Sequence, residues 1–81
     1  MRGQPQTREA GTDWSDARRR LDALGAIAFQ VVKLPEGGCR FTCLLPTNQH
    51  NYNHRIEADA GTEAEAVRLG LERAENWARQ R

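Results

Sequence analysis

Trp14, Ala17, Leu21 and Leu24 recur at spacings of three, four and three, one stripe of a 3.6-residue period, and predict a helix over residues 13–24. Thr12 or Asp13 offers a cap for its first amides, Asp13 and Asp16 complement the positive end of its dipole, and Gly25 stops it. From residue 26 the period changes to two. Ile27, Phe29 and Val31 alternate with Ala28, Gln30 and Val32, which predicts a strand over 26–34. Pro35-Glu-Gly-Gly38 combines a preset φ with residues free to take a positive one, the chemistry of a turn. A second strand is expected from about Cys39 to Leu45, with Cys39, Phe41, Cys43 and Leu45 inward and Arg40 and Thr42 outward. Placing Val31 opposite Cys43 and Phe29 opposite Leu45 needs an odd loop, hence a bulge at Gly37 or Gly38 rather than a two-residue turn. Pro46 is expected to end that strand, and residues 47–53 to form a polar loop. A short third strand at 54–58 alternates His54, Ile56 and Ala58 with Arg55 and Glu57, and Gly61 breaks it. The last helix, 63–79, lines up Val67, Gly70, Leu71, Ala74, Trp77 and Ala78 on one face, with Thr62 and Glu65 as a capping box. Gly70 on that face either permits a close approach or is a weak spot in the helix.

The order helix, strand, strand, strand, helix predicts an α+β fold: a two-layer sandwich in which a three-stranded antiparallel meander has two helices packed on one face. Residues 12–81 form this single domain. Residues 1–11, polar and interrupted by Gly3, Pro5 and Gly11, are expected to be a flexible N-terminal tail. The element order over residues 13–80 resembles that of the double-stranded-RNA-binding domain. That resemblance implies RNA contact through a lysine-rich cluster at the start of the last helix. The matching positions here are Thr62-Glu-Ala-Glu-Ala66, whose two carboxylates oppose a phosphate backbone.

Leu, Ile, Val and Phe supply only 14 of the 81 residues and alanine another 11, so the core is thin. At a formal net charge of +1 the chain nonetheless falls outside the disordered class, and its charge is too balanced to bind polyanions by bulk attraction. No apolar run approaches the ~18 residues of a membrane span. No apolar stretch follows Met1, so a secretory leader is not expected. Two cysteines and no leader point to a reducing cytoplasm with both thiols free. Eleven arginines against one lysine, with the alanines, suggest a GC-rich, bacterial coding sequence.

Cys39-x3-Cys43-x6-His50-x3-His54 contains the ligand types zinc prefers. On one strand, however, the two cysteines stand ~13 Å apart, too far for one zinc ion or for a disulfide. No metal or cofactor is therefore expected, and a His/Cys metal-binding protein is a remote alternative. Asn48, Gln49, His50, Asn51 and Tyr52, with Arg55 beside them, form a candidate binding loop of adaptable donors, acceptors and one stacking ring. The plainer reading is a polar loop that satisfies its own backbone. Val32, Leu34 and Leu44 point away from both helices and form a candidate outer sheet face. Arg18, Arg19 and Arg20, joined by Arg40 and Arg55, form a candidate basic patch, or a solvated helix face diluted by Asp16, Asp22 and Glu57. Trp14 and Trp77 fall on apolar stripes and are assigned to the core.

No phosphate-cradling glycine loop or nucleophile motif is present, and nothing pairs with the histidines for acid–base work. The expected function is that of a small non-enzymatic cytoplasmic domain acting by macromolecular binding, foremost to a protein partner or to itself. Weak RNA binding through the 47–55 loop and the arginines is the alternative. No membrane association is expected.

Overall fold

The computed structural model describes residues 12–49 and 51–80; the expected tail at 1–11, and His50, lie outside the described residues. Helix α1 (Trp14–Leu24), strands β1 (Ala28–Lys33), β2 (Cys39–Pro46) and β3 (Asn53–Ala60), and helix α2 (Glu63–Gln80) follow in that order. The strands form one antiparallel sheet in the order β1-β2-β3, and both helices contribute to a core on one of its faces. This is the expected α+β layout.

Asp13 caps α1, its Oδ1 accepting from the Asp16 amide at 3.1 Å. In the β1–β2 hairpin, Phe29 stands opposite Cys43 and Val31 opposite Phe41. Each pairing is two residues away from the expected one. The facing survives because Leu34 N–H donates to the Gly38 carbonyl at 3.0 Å, which leaves Pro35, Glu36 and Gly37 as an odd loop. Gly38 is required there: its φ is +87°, and a β-carbon would lie 2.5 Å from the Ala60 carbonyl oxygen. Pro46, expected to end the second strand, is its last residue and pairs with Asn53. Strand ends accept proline because no further ladder donor is needed there.

The inner face of β2 supplies Cys39, Phe41, Cys43 and Leu45. These pack with Ile56 and Ala58 of β3, Ala17 and Leu21 of α1, and Ala66, Val67, Leu71 and Ala74 of α2. Phe41 is completely buried. Gly70 is buried against it, since a β-carbon at that position would stand 2.1 Å from Phe41 Cδ2. Close approach, not a tolerated weak spot, is the role of this glycine. At the start of α2 only half of the capping box forms. Thr62 Oγ1 accepts from the Glu65 amide at 3.2 Å, while the Glu65 carboxylate turns to Arg68.

The tryptophans depart from expectation. Trp14 is 37% exposed and lies over Phe29, with ring centroids 5.8 Å apart; Trp77 is half-buried at the margin of the core. A stripe of period 3.6 identifies the side of the helix, not how far the neighbouring layer extends to cover a large ring. The two helices are tied by Arg20, whose Nε and Nη2 donate to the two carboxylate oxygens of Glu75 at 2.8 and 2.7 Å.

Candidate functional site

Thr47 builds the loop after β2. Its hydroxyl donates to the Tyr52 carbonyl at 2.6 Å and accepts from the Gln49 amide at 3.1 Å. The Tyr52 amide returns to the Gln49 carbonyl at 3.2 Å, and Asn51 takes a left-handed φ of 67°, a conformation asparagine adopts more readily than most residues. The loop thus satisfies much of its own backbone and leaves side chains outward. Asn48, Gln49 and Tyr52 line an open depression of about 320 Å³ with Thr47, His54 and Trp77. His54 and Trp77 stack face to face, centroids 4.4 Å apart and planes 6° from parallel, and Tyr52 is 63% exposed. Thr47, His54 and Trp77 are the members outside the binding loop expected from the sequence. Strand parity placed His54 inward and the helical stripe placed Trp77 toward the sheet, so their meeting was implicit in two periodicities that converge only in space.

Arg55, grouped with the loop in the sequence, does not join it. It neighbours His54 in β3 and therefore lies on the opposite face, where it pairs with Glu57 at 2.8 Å. There it borders a second depression, of about 290 Å³, lined also by Ala28, Gln30, Thr42 and Leu44. Neither described helix covers this outer face. Across it the register sets Ala28, Leu44 and Arg55 in one row, Gln30, Thr42 and Glu57 in the next, and Val32, Arg40 and Asp59 in the third. Thr42, expected outward, is outward but 9% exposed, hemmed in by the longer residues of its row and column. Of the expected apolar strip, Val32 is exposed, Leu44 is half-buried, and Leu34 lies beyond the strand at the turn. The strip is therefore not continuous. Arg40 and Asp59, joined at 2.8 Å, occupy the row of Val32, and Thr42 separates that row from Leu44.

The three arginines of α1 do not pool their charge. Arg18 lies 5.8 Å from the Phe29 ring centroid, Arg19 pairs with Asp16 at 2.6 Å, and Arg20 is engaged by Glu75 and Asp16. The basic patch is replaced by a series of local pairs. Glu63 and Glu65 stand exposed at the start of α2, so no cationic surface forms there.

Cys39 and Cys43 are buried free thiols on the inner face of β2. Burial pushes the Cys43 thiol up to about 11, which keeps it protonated and unreactive at neutral pH. No group of three or more metal-ligating side chains occurs among the described residues, and no described helix is long and apolar enough to cross a membrane. Comparison with protein-family models, with curated proteins and with solved structures returns no match for this chain.

Proposed function

We propose that this chain is a non-enzymatic binding domain whose protein partner docks on the β1–β2 half of the outer sheet face. The observation that carries this reading is that no described helix covers this face. Its β3 side carries the charged residues Arg55, Glu57 and Asp59, whereas its β1 side presents Ala28, Gln30 and Leu44 around a concavity floored by Thr42 and bordered by Arg55, with exposed Val32 one row further on. A partner offering an apolar side chain to that concavity would remove Leu44 and Ala28 from water, at about 25 cal/mol per Å² of apolar area. The charged rows beside it would restrict which surfaces are accepted. The partner captured from native lysate should be identified, and its affinity measured against Leu44→Lys and Tyr52→Ala. Loss on Leu44→Lys with retention on Tyr52→Ala supports the face; the reverse pattern overturns it.

The stacked His54–Trp77 pair beside exposed Tyr52 favours a second reading, weak binding of single-stranded RNA by base stacking at the loop depression. An amide-shift titration with a short mixed-sequence RNA tests it. Shifts at residues 47–54 and Trp77 support this reading, and an unchanged spectrum at millimolar RNA removes it.

A further inference from the structure

The two edges of the sheet are treated differently. On β3 the Glu57 carbonyl accepts from Arg73 Nη1 of α2 at 2.7 Å, and the strand carries Arg55, Glu57 and Asp59; these are devices that block pairing with another strand. On β1 the run from Ala26 to Val32 contains no charge and no proline, and the strand's one charged residue, Lys33, stands at its last position. The Leu34–Gly38 bond and the register direct the even-numbered residues of β1 toward β2, so the amides and carbonyls of Phe29 and Val31 point out of the sheet. Of the four exposed large hydrophobics among the described residues, three surround this strand: Trp14, Ile27 and Val32.

We infer that β1 is a homodimerisation edge, pairing antiparallel with β1 of a second copy to form one continuous six-stranded sheet. The strand is complementary to itself in one register. With Gln30 facing Gln30 at the two-fold axis, Phe29 falls opposite Val31 and Ala28 opposite Val32. These four pairs are apolar, Lys33 meets only Ile27 beyond the end of the paired run, and two outward-pointing backbone pairs each exchange two hydrogen bonds. Shifting the axis to Val31 would set Phe29 against Lys33. In the favoured register Phe29 and its stacked Trp14 extend toward the partner's inner face, which accounts for the exposure of Trp14. The uncharged run from Ala28 to Val32 and the axis glutamines select a second copy over an acidic or basic foreign segment. This inference concerns the edge and not the outer face, and it stands or falls separately from the protein-docking reading above.

Sedimentation of the full chain across a wide concentration range, up to about 1 mM, should show a reversible monomer–dimer equilibrium. Val31→Pro removes an outward-pointing donor, which edge strands tolerate, together with a side chain packed at the margin of the core, and should weaken the dimer about tenfold or more while the fold persists. Should that variant not fold, exposed Gln30 decides the matter. Gln30→Lys and Gln30→Glu should each sediment as monomers at low salt, where the parent is a dimer, and should form a heterodimer when mixed. A parent that stays monomeric throughout overturns the inference. So does a dimer indifferent to both Gln30 variants, or a monomer whose Phe29 and Val31 amides resist hydrogen exchange, which would place another segment of the chain on the edge. A monomer that still loses its partner on Leu44→Lys would leave the docking reading intact while removing this one.

Discussion

Gly70 and Phe41 form the tightest constraint in the core. Alanine at position 70 would gain about 1 kcal/mol of helix propensity, but its β-carbon would overlap the fully buried Phe41 ring. Neither the ring nor the helix can yield freely, so overpacking, typically ~1–3 kcal/mol, wins. Gly70→Ala should therefore lower the melting temperature by several degrees; a rise would show that the helix can withdraw from the sheet. Trp77→Ala should cost less than the ~3–5 kcal/mol of a fully buried aromatic, whereas Phe41→Ala should cost that full amount. The thiols obey the same burial. Cys43 should react slowly with a thiol reagent in native protein and rapidly in denaturant. The Cys43 thiol ordinarily titrates near 9.0 and is held to about 11 by burial, so the unfolded chain loses its proton first as pH rises. Stability contributed by the neutral thiol is complete below pH ~9 and declines as pH climbs toward ~11. Cys43→Ala should show a shallower alkaline decline than the parent in melts across that range.

At the level of elements, α1 is held to α2 by the Arg20–Glu75 fork as well as by Ala17 and Leu21. The hydrogen bonds from Arg20 lower the Glu75 carboxyl below its ordinary range, and Arg40 does the same for Asp59. A lowered carboxylate stabilises the fold above its unfolded-state value, and that contribution is lost as pH falls through the folded value. Melts between about pH 5 and pH 2 should therefore show falling stability. Glu75→Gln should make the fall shallower without abolishing it, because Asp59 still titrates. An unchanged slope would mean that the fork does not persist in solution. The fork is solvent-accessible, so its removal at neutral pH should cost only about 1 kcal/mol.

At the scale of the whole molecule, a net charge of +1 distributed in local pairs leaves little long-range field. Any RNA complex formed at the loop should be weak, with a salt slope of about one unit per phosphate neutralised. A steep slope in a filter-binding series would point instead to a pooled cationic surface that the pairing of Arg19, Arg20, Arg40 and Arg55 precludes. The same neutrality suits recognition by shape and by strand pairing, on which the proposed docking at the outer face and the proposed pairing at the β1 edge both depend.

Period and punctuation alone determined the elements. The spacing of Ala17, Leu21 and Leu24, the alternation through Cys39–Leu45, and the turn chemistry of Pro35–Gly38 each follow from local geometry that a side chain imposes on its own backbone. Facing followed as well, because strand parity is insensitive to a two-residue slip; that is why the hairpin register differed from expectation while the inner and outer sets did not. Distances between elements were decided only by the tertiary structure. Covering Trp14 depends on how far α1 overhangs β1, the roles of Arg18, Arg19 and Arg20 depend on which carboxylates other elements bring near, and Arg55 parts from its loop because adjacent strand residues oppose one another. The aromatic depression joins residues of a loop, a strand start and a helix end, and β1 is an edge of the described sheet only because β2 took its centre. Such features arise from long-range packing, which no local period encodes.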